Sequence, residues 1–217
     1  MTKSIRFALP KGRLAKDIMP LLEQVGVTPE ASFEDETERR LVYRSSRDDV
    51  ALLQAKPFDV ATLVAVGGAH MGICGADVLY EYAYSEVYAP VDLKQGACRL
   101  SIAGLPAQLA KPLHAYAVPI RIATKYPLAT RRHFAAQGLE VEIIKLNGSV
   151  ELAPILGVAD RIVDLVSTGA TLKANGLVEE SIIFHSTARL IINRTASKVM
   201  ARLIRELVTA FESVVAR

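Results

Sequence analysis

The stretch of chain best suited to binding a ligand carries an acid, several hydroxyl groups and a glycine between a predicted strand and a predicted helix. The strand, residues 161–166, contains Asp164, and the helix begins close to Gly169. The residues of the turn are Ser167, Thr168, Gly169, Ala170 and Thr171. Glycine allows close approach of the backbone, and the N–H groups at the start of a helix attract anions. The pattern therefore fits a sugar 5-phosphate, with the phosphate in the turn and the sugar hydroxyl groups on Asp164.

The same turn has a second interpretation, in which the serine and threonine side chains only cap the helix that follows. The chain has no G-x-x-x-x-G-K-[ST] phosphate loop and no G-x-G-x-x-G sequence after a predicted strand. Neither of these common nucleotide motifs therefore applies. Spacing alone leaves both interpretations of the turn open.

A second group of candidate residues, Lys11, Gly12 and Arg13, follows the first predicted strand, residues 5–9. Two cations beside a bare backbone can bind a polyphosphate, because arginine offers two parallel hydrogen bonds and lysine a mobile point charge. By themselves, the same residues are more typical of two exposed surface charges.

Alternating strand and helix patterns must position these residues, and they predict an α/β protein with largely parallel sheets. Helical spacing covers residues 13–25, where Pro20 is expected to bend the helix or to end it. Asp59 is expected to cap a helix over residues 60–66. An apolar stripe along residues 197–217 predicts one long closing helix.

The composition predicts a well-packed globular protein, since 51% of the 217 residues are apolar and 23% are charged. This length allows one large domain or two small lobes, and it leaves little for a regulatory module. A formal net charge of +3 gives no reason to expect a broad basic face, so nucleic acid is not an expected partner.

The beginning of the chain lacks the apolar region of a signal peptide, so we expect a cytoplasmic protein. The longest stretch without Asp, Glu, Lys or Arg, residues 60–76, is shorter than a membrane span, and no membrane association is predicted. Cys74 and Cys98 are predicted to be buried free thiols. His70 and Cys74 have no third ligand nearby, so no protein metal site is predicted.

The sequence around Asp164 resembles a known family. Residues 164–172 are similar to the phosphoribosyl-pyrophosphate loop of the ATP phosphoribosyltransferases, the first enzymes of histidine biosynthesis. Five other segments resemble the same family and occur in its order: residues 9–14, 72–79, 98–100, 122–127 and 148–154. Together the six segments extend over nearly the whole chain.

The resemblance implies a two-lobed α/β fold like that of type II periplasmic binding proteins, with the active site in the cleft between the lobes. We expect lobe I to comprise residues 1–100 and 186–217, and lobe II to comprise residues 101–185 with the phosphoribosyl-pyrophosphate loop. The implied reaction transfers the phosphoribosyl group to N1 of the adenine of ATP, releases pyrophosphate and uses substrate-bound Mg²⁺. The likeness is to the short form of the enzyme, which has no C-terminal regulatory domain.

Such a transfer develops positive charge on the ribose and negative charge on the departing pyrophosphate. We therefore expect Asp164 and Glu151 at the ribose hydroxyl groups, and Lys11 and Arg13 at the ATP triphosphate or the pyrophosphate. The predicted catalytic residues are Lys11, Arg13 and Glu151. The residues that the resemblance assigns to ATP are Lys11, Gly12, Arg13, Asp77, Arg99 and Tyr126. By itself, Asp77 is equally typical of a helix cap, and Glu151 of a solvated acid at a helix start.

The resemblance also implies partners. The short form works with a regulatory subunit similar to histidyl-tRNA synthetase in a hetero-octamer, and its catalytic subunits are expected to form homodimers. The alternative function is a non-catalytic two-lobed domain that binds a small ligand. A purine or pyrimidine phosphoribosyltransferase is less favoured, because those enzymes have two adjacent acids before the phosphate loop and Val163 precedes Asp164 here.

Overall fold

The computed structural model describes residues 4–33, 35, 37–115 and 119–216. The chain forms two compact units, each with its own sheet. The first unit comprises Met1–Leu79, Ala83–Gly96 and Thr187–Arg217, and the second comprises Tyr80–Tyr82 and Ala97–Ser186. The predicted α/β class is confirmed.

The sheet of the first unit has six strands. In spatial order they are β2 (Val42–Arg44), β3 (Val50–Ala55), β1 (Ile5–Pro10), β4 (Met71–Gly75), β11 (Ala188–Asn193) and β5 (Val87–Asp92). Strand β1 runs parallel to both β3 and β4, whereas β2 and β11 are antiparallel to their neighbours. The carboxyl ends of β1, β3 and β4 therefore meet at one edge of the sheet.

Helices cover both faces of this sheet. They are α1 (Arg13–Gln24), α2 (Pro57–Ala65), α3 (Ala76–Tyr82), α8 (Arg194–Val199) and α9 (Ala201–Val215). Because successive residues of a strand face opposite sides, Phe7 packs in the core with α1 and α9, and Ala8 packs in the core with α2. Phe7 and Phe211 of α9 meet edge to face, with ring centroids 6.0 Å apart.

The sheet of the second unit has five strands. In spatial order they are β10 (Val178–Ser186), β6 (Cys98–Gly104), β9 (Arg161–Val166), β7 (Ile120–Thr124) and β8 (Val141–Lys145). The helices of this unit are α4 (Pro106–Leu109), α5 (Pro127–Ala135), α6 (Leu152–Ile155) and α7 (Ala170–Ala174). Strands β9, β7 and β8 are parallel and β6 is antiparallel to β9. The carboxyl ends of β9, β7 and β8 therefore share an edge with the beginning of β6.

Two expectations about helices are wrong, and the structure also excludes an end of the first helix at Pro20. Helix α1 continues through Pro20 to Gln24, because proline removes one backbone hydrogen bond while the buried side chains of this helix keep it packed on the sheet. Helix α2 begins at Pro57, before Asp59, since the fixed φ of proline suits the first helical position. The closing segment is two helices, because Met200 interrupts it with non-helical backbone angles.

The cysteines only partly follow the prediction. Neither cysteine is in a disulfide bond, and Cys74 is buried, but Cys98 is half-buried because it is the first residue of β6. Within the residues that the structure describes, no helix is both long enough and apolar enough to cross a membrane.

Candidate functional site

The predicted phosphate-binding turn lies at the carboxyl end of β9, in the second unit. Val166 and Leu172 are buried on either side of it and anchor it to the core, while Thr168 and Thr171 are exposed. Gly169 has φ +80° and ψ 1°, a left-handed conformation that only glycine adopts readily. The turn is therefore a fixed backbone loop that presents hydroxyl groups and the N–H groups at the start of α7.

Arg99 holds this loop from the neighbouring strand β6. Its Nη1 donates to the carbonyl oxygen of Ser167 at 3.0 Å. Its Nε and Nη2 donate to the two carboxylate oxygens of Glu179 at 2.6 and 2.7 Å. The Ser101 hydroxyl donates to the same carboxylate at 2.6 Å. Arg99 is thus oriented by a paired acid, and it connects β10 to the loop.

The Arg99–Glu179 pair also changes the acidity of both groups. Hydrogen bonds from the Arg99 guanidinium lower the pKa of Glu179, and the Glu179 carboxylate raises the pKa of Arg99. The pair therefore stays charged at neutral pH. The sequence predicted Arg99 as a site residue but gave no sign of Glu179. Glu179 is distant from Arg99 in the chain, and with its neighbour Glu180 it has the pattern of an exposed acidic surface.

Asp164 lies two residues before the end of β9, directly opposite Ser101 in the strand register. Arg99 is opposite Val166 in the same register, so Arg99, Ser101 and Asp164 share one face of the sheet. Asp164 is half-buried. The structure therefore brings the predicted ribose acid, the predicted phosphate loop and Arg99 together.

Glu151 lies between β8 and α6. The carboxyl end of β8 is at the same edge of the sheet as that of β9, which carries the predicted phosphate loop. The residues beside it, Val150 and Ala153, pack in the same hydrophobic cluster as Val166 and Leu172. This shared cluster places the segment that carries Glu151 next to the phosphate loop. Among the described residues, none forms a hydrogen bond or an ion pair with the Glu151 side chain, which is half-buried.

Tyr126 follows β7, the strand between β9 and β8. Its side chain is only 2% exposed. Its N–H donates to the Thr124 hydroxyl at 2.9 Å. The helix that follows is capped by Glu81, whose carboxylate accepts the N–H groups of Leu128 and Ala129 at 2.9 and 2.8 Å. Tyr126 therefore belongs to the packed wall of this edge and does not present its ring to solvent.

The basic turn of the first unit lies at the carboxyl end of β1. Lys11 donates its N–H to the Ala55 carbonyl at 2.8 Å, and Lys11, Gly12 and Arg13 are all exposed. The Arg13 Nε is 4.0 Å from the carboxylate of Asp17, one helical turn later. An exposed pair of this kind contributes little stability, so Arg13 can exchange Asp17 for another anion.

A cavity of about 270 Å³ lies beside this turn, bordered by Lys11, Gly12, Lys16 and Gln54 among others. Sequence reasoning missed a further cation, Lys56. It follows β3 as Lys11 follows β1, and the last residues of the two strands are register partners. The signal was available, because Lys56 and Pro57 come directly after an apolar strand.

Asp77 lies in the first turn of α3, after β4, and is therefore at the same edge of the first sheet as the basic turn. It is 5% exposed, and its side chain folds back over Gly75. A Cβ on residue 75 would lie 2.0 Å from Asp77 Oδ1, so any other residue there would require the Asp77 carboxylate to move. The conformation fits the helix-start alternative for Asp77 as well as a role in the site.

The two side chains with the spacing of a metal pair, His70 and Cys74, lie in the first unit. In the described part of the chain, no three His, Cys, Asp or Glu side chains are grouped as they would be around a metal ion. His70 accepts a hydrogen bond from the Arg6 N–H at 2.9 Å, and Cys74 is buried in the core of the first unit. Burial raises the pKa of the Cys74 thiol, which keeps it protonated.

Comparisons with known proteins show the family of the chain. A family model described as ATP phosphoribosyltransferase matches residues 56–213. The ATP phosphoribosyltransferase of Novosphingobium aromaticivorans is 52% identical over 210 residues, which cover 97% of this chain and 94% of the relative.

Two solved structures are similar to this chain. The ATP phosphoribosyl transferase (HisG:HisZ) complex from Thermotoga maritima contains a chain that matches with a TM-score of 0.82 at 32% identity, over 98% of each chain. The periplasmic aliphatic sulphonate binding protein SsuA from Escherichia coli matches with a TM-score of 0.62 at 12% identity, over 99% of this chain and 73% of that one. The second likeness concerns the fold alone, and it confirms the predicted type II periplasmic-binding-protein-like class.

The family model covers most of the chain, and the relatives extend the match to nearly all of it. The chain is therefore an enzyme of the ATP phosphoribosyltransferase family, which transfers a pentosyl group to ATP in the first step of histidine biosynthesis.

Proposed function

We propose a role for each site residue of this chain in the conversion of ATP and phosphoribosyl pyrophosphate to N1-(5-phosphoribosyl)-ATP and pyrophosphate. The turn Ser167, Thr168, Gly169, Ala170 and Thr171 binds the 5-phosphate. The observation that carries this proposal is the fixed backbone of the turn, with Gly169 in a left-handed conformation and the Ser167 carbonyl held by Arg99. N–H groups and hydroxyl groups supply the donors that a phosphate dianion requires.

Asp164 and Glu151 bind the ribose hydroxyl groups. Both carboxylates belong to strand ends of one sheet edge, and both are half-buried, so they can accept hydrogen bonds in a partly dehydrated place. Negative charge near the ribose also stabilises the positive charge that develops when the bond to pyrophosphate breaks. Glu151 is the stronger candidate for this catalytic role, because its carboxylate has no competing partner among the described residues.

Lys11, Gly12 and Arg13 bind the triphosphate of ATP or the departing pyrophosphate. The cations are exposed, and the ion pair that Arg13 forms with Asp17 is long. Lysine and arginine side chains at this turn neutralise the charge that accumulates on the leaving group. We add Lys56 to this cluster, since it follows the neighbouring strand.

Asp77, Arg99 and Tyr126 complete the proposed ATP site. Arg99 has one guanidinium edge on Glu179 and one nitrogen on the Ser167 carbonyl, so its effect on ATP is exerted from a fixed position. Tyr126 is buried, and its proposed contact with adenine requires the ring to move when ATP binds. Asp77 contributes its carboxylate to the proposed ATP site from the first turn of α3.

Mg²⁺ is proposed as an ion that arrives with the substrates. Magnesium in such sites is held mainly by phosphate oxygens and water, with one or two carboxylates at most, and this suits a chain whose described residues contain no grouped metal ligands. When bound, the ion would neutralise phosphate charge and make pyrophosphate a better leaving group.

Residues 1–100 with 186–217, and residues 101–185, are proposed as the two lobes that enclose the substrates in a cleft. We further propose a regulatory subunit similar to histidyl-tRNA synthetase, a hetero-octamer built on homodimers of this chain, and a cytoplasmic location. Support for the partner comes from the solved relative, which is a HisG:HisZ complex.

The reaction is tested with the purified chain, ATP, phosphoribosyl pyrophosphate and Mg²⁺, with and without the regulatory subunit. We expect phosphoribosyl-ATP and pyrophosphate in equal amounts. Failure to form product under both conditions would exclude the proposed function. A single small ligand bound in calorimetry without turnover would instead support the non-catalytic alternative.

A further inference from the structure

A large cavity of the first unit lies away from the residues assigned to the reaction. Its volume is about 690 Å³, and its border includes Arg6 at the beginning of β1 and His70 just before β4. Lys11 follows the opposite end of β1, five residues away, which corresponds to about 16 Å along a strand. The cavity is therefore at the opposite edge of the first sheet from the basic turn.

Two hydrogen-bond donors meet in this cavity without an acceptor between them. The Arg6 N–H donates to His70 Nδ1 at 2.9 Å, so Nδ1 is unprotonated and the imidazole proton is on Nε2. That Nε2–H lies 3.4 Å from Arg6 Nη2, which is also a donor. Because an arginine nitrogen cannot accept, this contact is a juxtaposition of two N–H groups. An oxygen placed beside both would accept from each.

Within the part of the chain that the structure describes, Arg6 also has no counter-charge. Its Nη2 donates to the Gly67 carbonyl at 3.1 Å, but none of the described Asp and Glu residues forms an ion pair with it. Arg6 together with burial lowers the pKa of His70, burial having the larger effect. The polar end of the cavity is thus a permanent cation beside a neutral imidazole donor, and it attracts an anion.

The other residues that border the cavity indicate the chemistry of the part of the ligand beyond its anionic group. Val66 and Val199 border the cavity with 73% and 61% of their surfaces exposed, and Ala65 and Met200 extend this apolar wall. The exposed carboxylate of Glu86 lies at the same border and would repel a second negative charge. A singly charged oxyanion with an apolar body matches these features better than a phosphate dianion does.

We propose that this cavity is a binding site for a small monocarboxylate with an apolar body, whose carboxylate bridges the Arg6 guanidinium and the His70 Nε2–H. The carboxylate supplies an acceptor to the His70 Nε2–H and a second acceptor to Arg6 Nη2, and its body covers the two exposed valines. A hydrogen bond from a guanidinium to a carboxylate is charge-assisted and therefore roughly twice as strong as one between neutral groups. The site is independent of the proposed reaction, since none of its residues is assigned to ATP or phosphoribosyl pyrophosphate.

The experiment is an NMR titration of the isotope-labelled chain with benzoate, in the absence of both substrates. We expect saturable shifts of the His70 ring signals and of the Asn193 side-chain amide, which also borders the cavity, with a Kd on the order of 1 mM. Benzamide has the same shape without the charge and should bind at least about tenfold more weakly. Inorganic phosphate, the other oxyanion probe, should also bind more weakly than benzoate.

Arg6→Gln is expected to raise the Kd of benzoate about tenfold or more, and Arg6→Lys to raise it less, because lysine keeps the charge but not the paired donors. Arg44→Gln is the matched control, since Arg44 is exposed on the edge strand β2, and it should leave the Kd unchanged. The spectrum of each variant reports directly whether it is folded. Absence of saturable shifts, equal binding of benzamide, tighter binding of phosphate, or an unchanged Kd in folded Arg6→Gln would each overturn the proposal.

Discussion

Replacing Glu179 with glutamine tests whether Arg99 must be held on the phosphate loop. The carboxylate accepts from two nitrogens of Arg99 at 2.6 and 2.7 Å and from the buried Ser101 hydroxyl at 2.6 Å. Glutamine has the same shape but offers one oxygen. If that oxygen takes the position that accepts from Ser101 and from Arg99 Nε, the amide NH₂ faces Arg99 Nη2, and at least one charge-assisted hydrogen bond is lost.

Loss of this contact should loosen the Arg99 Nη1 bond to the Ser167 carbonyl. We expect kcat/KM for phosphoribosyl pyrophosphate to fall about tenfold, the effect of one hydrogen bond to a charged group. The KM for ATP at saturating phosphoribosyl pyrophosphate should change less. Initial rates measured with each substrate varied in turn separate the two effects.

Glu180→Gln is the matched control for this variant. Glu180 is the next residue, but it pairs at 2.8 Å with the fully buried Arg161 at the start of β9, the end opposite to the phosphate loop. We expect this control to lose about 2 kcal/mol of unfolding free energy with kcat/KM nearly unchanged. A kcat/KM of Glu179→Gln within twofold of the wild-type value would refute the proposed role of Glu179 in holding Arg99. An equal loss of kcat/KM in Glu180→Gln would refute it as well.

Acid should remove the difference in stability between wild type and Glu179→Gln. The hydrogen bonds from Arg99 lower the pKa of Glu179 in the folded chain, so its stabilising effect is fully present above the unfolded pKa of a glutamate. The effect is lost as pH falls through the lowered folded pKa. Thermal unfolding of both proteins between pH 7 and about pH 3 measures this loss, and a difference that grows in acid would contradict the sign.

Three further predictions concern single residues. Gly169→Ala should cost about 1 kcal/mol because φ is +80° there, and it should raise the KM for phosphoribosyl pyrophosphate in initial-rate assays; an unchanged KM would count against the loop. Gly75→Ala should displace Asp77, whose Oδ1 would lie 2.0 Å from the new Cβ, and weaken ATP use; a lower Tm with unchanged ATP kinetics would leave Asp77 a purely structural role. Iodoacetamide should modify Cys98 and spare the buried Cys74, whose pKa is raised by burial, in mass spectra of the native chain; reaction at both would contradict this burial.

Local patterns in the sequence were sufficient for much of the fold and the loop. Strand Arg161–Val166, the following hydroxyl-rich turn and the glycine all have near-neighbour causes, so their order along the chain was enough to predict them. Pro20 shows the limit of such rules, because packing of α1 on the sheet outweighs the missing hydrogen bond. The break at Met200 escaped prediction, since the apolar stripe continues through it while the Asn193 side chain caps a separate helix at Thr195 and Ala196.

The sequence by itself determined the α/β class, the hydroxyl-rich turn after Arg161–Val166, the basic turn and the family, because each rests on local patterns of neighbouring residues. Only the tertiary structure decided the partner of Arg99, since Glu179 is 80 positions away and is brought to it by the pairing of β6 with β10. It also decided that Tyr126 is buried and that Arg6 and His70 meet at one cavity. Contacts between strands join residues from distant parts of the chain, and no local pattern records which ones will meet.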